Sequence, residues 1–446
     1  MVLVKNLIEY GFYLFIFLLP WQTRLIWQEA SLNGFTWEYG RLSLYGTEIL
    51  LWAVLFLYGF WLLRTRRLQK IEFKNFSKKL QDPGALIYLL VILIVLTAGV
   101  SVIFSLLFDI SFHAFFKLVE LVAMMSMILV FGFTLKRVAV VWVAAAVVQS
   151  FFAIWQFFIQ YVPANKWLGL AWHYSTVGGS IILQTADERW LRAYGSLPHP
   201  NMLGGFLVIA LLFLLYLAFI AEKFGERILI LGSLIFLIPA LFFSFSRSAW
   251  VALIVCLVLL GLWLLNHQRQ VHRRIFFQTI FLILILTSVL AVNLWQPLLT
   301  RLQGKEPLEV NSIELRYTFN QQALEVIKDH PLSGTGIGNY TYGVYQSVNG
   351  SWPGYYYQPV HNVYLLVLAE LGIFGWGLFV ATVLLLFIGL IRQAASLDKA
   401  ISFLAFLSIL IIGLFDHYFW TMFFGAAIFW LIFGINLRQL KGLDKS

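Results

Sequence analysis

Three basic side chains stand at polar breaks in an otherwise apolar sequence. They are Arg247 in Ser244-Phe-Ser-Arg-Ser-Ala-Trp250, Arg316 in Asn311-Ser-Ile-Glu-Leu-Arg-Tyr317, and His361 in Val360-His-Asn-Val-Tyr364. Guanidinium groups stay cationic and grip phosphate or carboxylate oxygens in pairs. An imidazole tuned by partial burial accepts a proton near neutral pH. Each position also has a plainer reading. Arg247 is then an interfacial arginine reaching for water, Arg316 a solvated face residue paired with Glu314, and His361 a helix cap or core residue.

A second tier surrounds these. Arg192 precedes Tyr194-Gly-Ser-Leu-Pro-His-Pro-Asn201, where Gly and Pro impose a tight turn into a helix. His199 and Asn201 there either line a pocket or cap that helix. Gly334-Thr-Gly-Ile-Gly-Asn339 looks like a dinucleotide loop, but it follows an amphipathic helix rather than a strand, so a close-packed glycine turn offering N–H groups to an anion fits better. Asn311 and Glu314 have capping-box spacing ahead of an amphipathic run to Lys328. His113, His173, His199, His330, His361 and His417 fall on one side of the chain's topology, yet no His-x-x-x-His or Asp-x-Asp spacing accompanies them. That argues against a catalytic metal. Lys117 and Glu120, three apart in an apolar run, are expected to pair within the membrane.

These groups need a scaffold. Of the 446 residues 61% are hydrophobic and only 12% charged, with a mean hydropathy of +0.84. No soluble fold hides that much apolar surface, and the alternation of a membrane barrel is absent. The class is therefore all-α and polytopic, a single integral membrane domain over 1–446 with about twelve spans: 7–22, 46–63, 85–107, 114–134, 138–160, 200–221, 228–245, 248–266, 275–295, 363–391, 399–415 and 419–436. The tenth is long enough to bend near Gly372 or Gly375. The first lacks a small-residue cleavage site and reads as a retained helix rather than a signal peptide. The lone Cys256 excludes an internal disulfide.

The net charge of +10 reflects Lys and Arg flanking the helices rather than a nucleic-acid partner. Lys5, the stretch Arg64–Lys79, Lys136, Arg137, Lys223, Arg227, Arg269, Arg273, Arg274, Arg392, Lys399, Arg438, Lys441 and Lys445 share one side, which the positive-inside rule makes cytoplasmic, with both termini. The loops 161–199 and 296–361 and the turn Ser244–Arg247 then face outward. The larger loop forms a subdomain with amphipathic helices that carries part of the active site. No nucleotide is available on that side, so a donor arrives already activated on a membrane lipid.

Taken in order, Arg192-Ala-Tyr-Gly-Ser with Pro200-Asn201, Ser246-Arg-Ser-Ala-Trp250, Arg316 leading to Asp329-His-Pro-Leu-Ser-Gly-Thr-Gly-Ile-Gly-Asn339, and His361-Asn-Val-Tyr-Leu with Ala369-Glu-Leu-Gly372 resemble the O-antigen ligase and polymerase superfamily. These are bacterial GT-C-type membrane glycosyltransferases. The resemblance implies that Arg247, Arg316 and His361 are catalytic; Arg192, His199, Asn201, Gly336, Gly338, Asn339 and Asn362 are expected to bind substrate beside them. It implies a glycan donor on undecaprenyl pyrophosphate, a glycolipid or glycan acceptor such as lipid A-core, no cofactor, no metal, and an outward-facing site in the bacterial inner membrane. His199-Pro200 departs slightly from the family pattern. The chemistry agrees: the arginines hold charge on the departing diphosphate in place of a metal, and His361 deprotonates the acceptor for in-line, inverting attack. A polymerase joining lipid-linked repeats is the alternative within the family. A small-solute or anion permease is the alternative outside it, disfavoured because no duplicated halves appear; a noncatalytic scaffold that binds lipid-linked glycan is a third reading.

Overall fold

The computed structural model describes residues 1–65, 82–185, 187–267, 270–393 and 396–442. Arg269, Lys445 and the basic residues between 66 and 79 lie outside them. The first half holds α1 (Val2–Leu18), α2 (Gly46–Arg64), α3 (Pro83–Ile103), α4 (Phe108–Phe131), α5 (Leu135–Ile159) and α6 (Pro200–Ile220). There follow α7 (Phe224–Gly232), α8 (Leu234–Phe243), α9 (Arg247–His267), α10 (Gln270–Asn293), α11 (Trp295–Gln303) and α12 (Pro307–Asp329). The last are α13 (Tyr340–Ser347), α14 (Val363–Gln393), α15 (Leu397–Gly413), α16 (Tyr418–Thr421) and α17 (Phe423–Leu440). Among the described residues, ten helical stretches of 18 residues or more are apolar enough to cross a membrane, taking α7 and α8 together. Helices α1 and α15 have 17 residues each, which rise about 26 Å, near the thickness of the hydrocarbon layer. The protein is an all-α integral membrane protein.

Helices α6 and α17 form the centre, buried along nearly their whole length. Helix α6 packs on α5, α15, α9 and α8, and α17 on α4 and α15. Antiparallel alternation gathers residues 19–45, 104–107, 160–199, 244–246, 294–362 and 414–422 at one end of the bundle. The described basic residues at the outer ends of the helices, from Lys5 to Lys441, gather at the other.

Two differences from the sequence reading appear at the loop end. Residues 24–45 and 161–191 form small antiparallel hairpins, β1 (Arg24–Gln28) with β4 (Leu42–Tyr45), β2 (Ser31–Leu32) with β3 (Phe35–Thr36), β5 (Tyr161–Val162) with β6 (His173–Tyr174), and β7 (Ile182–Gln184) with β8 (Arg189–Leu191). The first group docks on the large loop, where Asn33 donates to the carbonyls of Gly350 (2.8 Å) and Trp352 (2.7 Å). Also, Lys117 pairs with Glu48 of α2 at 3.6 Å rather than with Glu120. Helical side chains tilt toward the helix N-terminus. Lys117 therefore reaches away from Glu120, toward Glu48 and the Ser43 carbonyl at 3.1 Å.

The bend expected in the tenth span falls at Gly372, with φ 63° and ψ −174° inside α14. The glycine turn inserts there: Thr335 and Gly336 donate to the Ala369 and Glu370 carbonyls (2.9 and 3.0 Å), and Ile373 donates to the Pro331 carbonyl (3.0 Å). These bonds satisfy the groups that the broken helix frees. Gly334 has φ +68°, and a Cβ there would overlap the Glu370 backbone. Gly334→Val is therefore expected to cost roughly 2–6 kcal/mol from backbone strain and overpacking. Gly377→Val, where a Cβ meets nothing within 4 Å, is the control. Thermal unfolding of the detergent-purified variants, followed by size-exclusion fluorescence, measures the difference.

Candidate active site

Helix α12 begins at Pro307 and runs unbroken to Asp329, so the Asn311–Glu314 capping-box spacing is not used as a cap. Proline at the first helical turn starts the helix one turn earlier. Asn311 and Ser312, Leu315 and Arg316, and Phe319 then follow one another at helical spacing on one face. That face walls a cavity of about 260 Å³. The opposite walls are Arg192, His199 and Asn201 from the approach to α6, Ser180–Ile182 from the second loop, Arg301 and Glu309 around α11 and α12, and His361.

The turn carrying Arg192 is clamped from α5. Gln156 Oε1 accepts from the amides of Tyr194 (3.1 Å) and Gly195 (2.9 Å), and Gln149 Oε1 accepts from Ser196 N (2.8 Å). Held in this way, buried Arg192 donates through Nε to the Ser244 carbonyl (2.7 Å) and through Nη2 to Asn201 Oδ1 (2.7 Å). Asn201 Nδ2 donates onward to Asp416 Oδ2 (2.9 Å), whose Oδ1 accepts from His417 N (2.9 Å) and lies 3.9 Å from His361 Nδ1. A relay of fixed groups thus runs from the turn before α9 to His361. Burial works against charge on Asp416, but the neighbouring His361 imidazole above all holds its carboxyl below the usual range. It is a carboxylate at neutral pH. His199 both lines the cavity and caps α6, its Nδ1 accepting from Asn201 N (3.0 Å). Burial, only partly offset by Asp416, pushes its ring down to about 3, so it is neutral.

A second network holds the arginines. Both oxygens of buried Glu309 accept from Arg301 Nη1 at 2.6 Å, and Arg301 Nε donates to the Phe245 carbonyl (2.9 Å). Arg247 Nη2 lies 3.4 Å from the same carboxylate, and its Nη1 donates to the Arg301 carbonyl (3.3 Å). Arg247 therefore borders the cavity through Glu309 rather than lining it. Arg316 has no ion pair or hydrogen bond to the described residues; burial, and to a lesser degree Arg301, work against its charge, while the carboxylates of Asp416 and Glu309 favour it from a distance. Four guanidiniums thus meet two carboxylates, leaving an excess of positive charge around one cavity.

Among the residues read from sequence, Arg192, His199, Asn201, Arg316 and His361 come together here, with Arg247 adjoining. Asn362 instead caps α14, its Oδ1 accepting from Tyr364 N (2.9 Å) and Leu365 N (3.1 Å). Gly336, Gly338 and Asn339 lie elsewhere. Asn339 donates to the Leu107 carbonyl and Ser111 Oγ, and Gly338 lines a separate cavity of about 150 Å³ with Arg24, Lys117 and Trp420. Sequence reasoning missed Arg301, Glu309 and Asp416. A carboxylate and an imidazole adjacent at Asp416-His417, in a break between two apolar runs, was the available signal.

An arginine outside any ion pair and an imidazole backed by a carboxylate, lining one cavity, are equipped to bind an anion and remove a proton. Residues 231–380 match the family described as O-antigen ligase. This stretch, about a third of the chain, is similar to the O-antigen ligase family. The O-antigen ligase match takes in Arg247, Arg301, Glu309, Arg316 and His361; Arg192, Asn201 and Asp416 join from outside it. The match supports a glycosyltransferase-like activity of the O-antigen ligase or polymerase type. No curated protein matches the chain.

The two arginine environments separate stability from activity. Arg301→Ala leaves Glu309 buried without its main partner and is expected to cost about 3–5 kcal/mol. Arg316→Ala removes no partner, and its stability should stay within about 0.5 kcal/mol of wild type. Unfolding midpoints of both variants in one detergent check this.

Proposed function

We propose that the protein transfers a glycan from undecaprenyl pyrophosphate to an acceptor hydroxyl, as an O-antigen ligase, on the outer face of the bacterial cytoplasmic membrane. The observation that carries this is that Arg316, with no ion pair or hydrogen bond to the described residues, and His361 line one cavity with surplus positive charge around it. A diphosphate supplies the charge that the cavity lacks. Arg316 grips its oxygens and Arg247 extends the cationic rim, so the charge that grows on the leaving oxygen as the glycosyl bond breaks is met where it forms. His361 takes the acceptor's proton on Nε2 while Asp416, beside Nδ1, favours the tautomer with Nδ1–H and stabilises the imidazolium. Attack opposite the departing diphosphate inverts the anomeric carbon. The arginines take the place of a divalent ion.

The proposed orientation rests on charge. The described basic helix ends lie opposite the loops, which favours a cytoplasmic basic end with both termini and an external site. The donor's polyprenyl tail then stays in the bilayer while its diphosphate enters at the α12 face.

Purified protein, donor and candidate acceptors in detergent should give transfer that EDTA leaves unchanged. Arg316→Ala and His361→Ala are each expected to lower the rate about 10²–10⁴-fold without loss of inserted protein. Wild-type rates in either variant reject the assignment. Asp416→Asn should lower the rate less, and adding it to His361→Ala should cost little more, because the two act as a unit. In a deletion strain, loss of all attached polymer identifies the ligase, whereas a single attached repeat identifies a polymerase.

A further inference from the structure

The Asp416-His417 turn does more than support His361. One ring nitrogen of His361, one of His417 and one carboxylate oxygen of Asp416 lie within 4.8 Å of one another. The three residues are far apart or adjacent in sequence, without the spacing of a metal motif, so only folding assembles them. We propose that they form a binding site for Zn²⁺ or a similar borderline divalent cation, and that its occupancy switches transfer off. The second half of this inference rests on His361 being the base.

Each ligand atom is already oriented. His417 Nδ1 lies 2.7 Å from Thr421 Oγ1, whose own proton is directed to the His417 carbonyl (3.4 Å); with Nδ1–H donating to that hydroxyl, Nε2 keeps a free lone pair. His361 Nδ1 is buried with no hydrogen-bond partner, 3.9 Å from Asp416 Oδ1. Asp416 is held through one hydrogen bond on each oxygen, from Asn201 and from the His417 amide, and keeps further lone pairs. Groups fixed from outside in this way are characteristic of metal ligands. Two imidazoles and one carboxylate suit Zn²⁺, whereas Mg²⁺ and Ca²⁺ require mostly oxygen. Zinc bonds of about 2.0–2.2 Å set neighbouring ligands roughly 3.4 Å apart in a tetrahedron. Small side-chain rotations close that gap, and a fourth position remains toward the cavity where His361 is partly exposed.

The inhibition follows from counting lone pairs. Neutral imidazole has one proton and one lone pair on its two nitrogens. A metal on His361 Nδ1 uses that lone pair and forces the proton onto Nε2. The nitrogen facing the acceptor then has nothing with which to accept a proton, and Asp416 is drawn to the ion instead.

The test uses the full-length chain in detergent, with ZnCl₂ competing against a chromogenic zinc indicator and, in parallel, the transfer assay. One Zn²⁺ per chain is expected. Transfer should fall at least about ten-fold at saturation, recover with EDTA, and be indifferent to MgCl₂. His417→Asn should bind zinc at least about ten-fold more weakly, the range seen when metal-site residues are disturbed, and the zinc concentration that halves whatever transfer it retains should rise by the same factor. Asp416→Asn, scored for zinc binding alone, covers the case in which His417→Asn does not fold. The proposal is overturned by absence of stoichiometric binding, by binding that neither substitution weakens, by binding without inhibition, or by transfer that EDTA abolishes. Zinc binding in wild type lost in both variants, with no transfer under any condition, supports the metal site and counts against the transferase reading.

Discussion

Surplus positive charge beside a bilayer is the constraint on which the site depends. Arg192, Arg247, Arg301 and Arg316 share one neighbourhood with two carboxylates, Glu309 and Asp416. Partly desolvated charges of one sign separate unless fixed groups hold them. The structure spends its two carboxylates unequally. Glu309 binds Arg301 tightly and steadies Arg247, whereas Asp416 turns to the imidazoles. Arg192 is held by a carbonyl and an amide oxygen, dipoles rather than ions. Arg316 has neither an ion pair nor a hydrogen bond to the described residues, and Asp416 and Glu309 favour its charge only from a distance.

The division explains why the conspicuous motifs are not all contact residues. Arg192 and Asn201 line the cavity, but their donors and acceptors are committed to Ser244 and Asp416. Their work is to set the position of the carboxylate, and through it the imidazole. The glycine turn works at greater distance. It fills the break in α14 at Gly372, and α14 begins two residues after His361. Backbone geometry there fixes the direction in which that helix leaves the site.

Much of this was legible in the amino-acid sequence, and the remainder fails for definable reasons. Hydropathy located the spans because each must close its own hydrogen bonds in lipid, and the bend at Gly372 followed from the excess length of one run. Arg316 and His361 were legible through the resemblance of their local motifs, since each alone also fits a solvated face or a helix cap. The pairing of Arg301 with Glu309 was hidden because it crosses from one short helix to the next. Lys117 was assigned to its helical neighbour because side-chain tilt was left out, and the tilt delivers it to Glu48. The hairpins between Arg24 and Tyr45 are too short to alternate visibly, and tertiary docking on residues 350–354 gives them their order.

The enclosure of α6 has a mechanical consequence. Asn201 sits in the first turn of a helix that other helices surround almost completely, so lipid touches little of it. Changes in bilayer thickness or lateral pressure act on the peripheral helices and reach this strut only weakly. The linkage from Asn201 through Asp416 to His361 is therefore referenced to the protein's interior rather than to its surroundings. A protein built in this way keeps these groups in register while the lipid around it varies in chain length and packing.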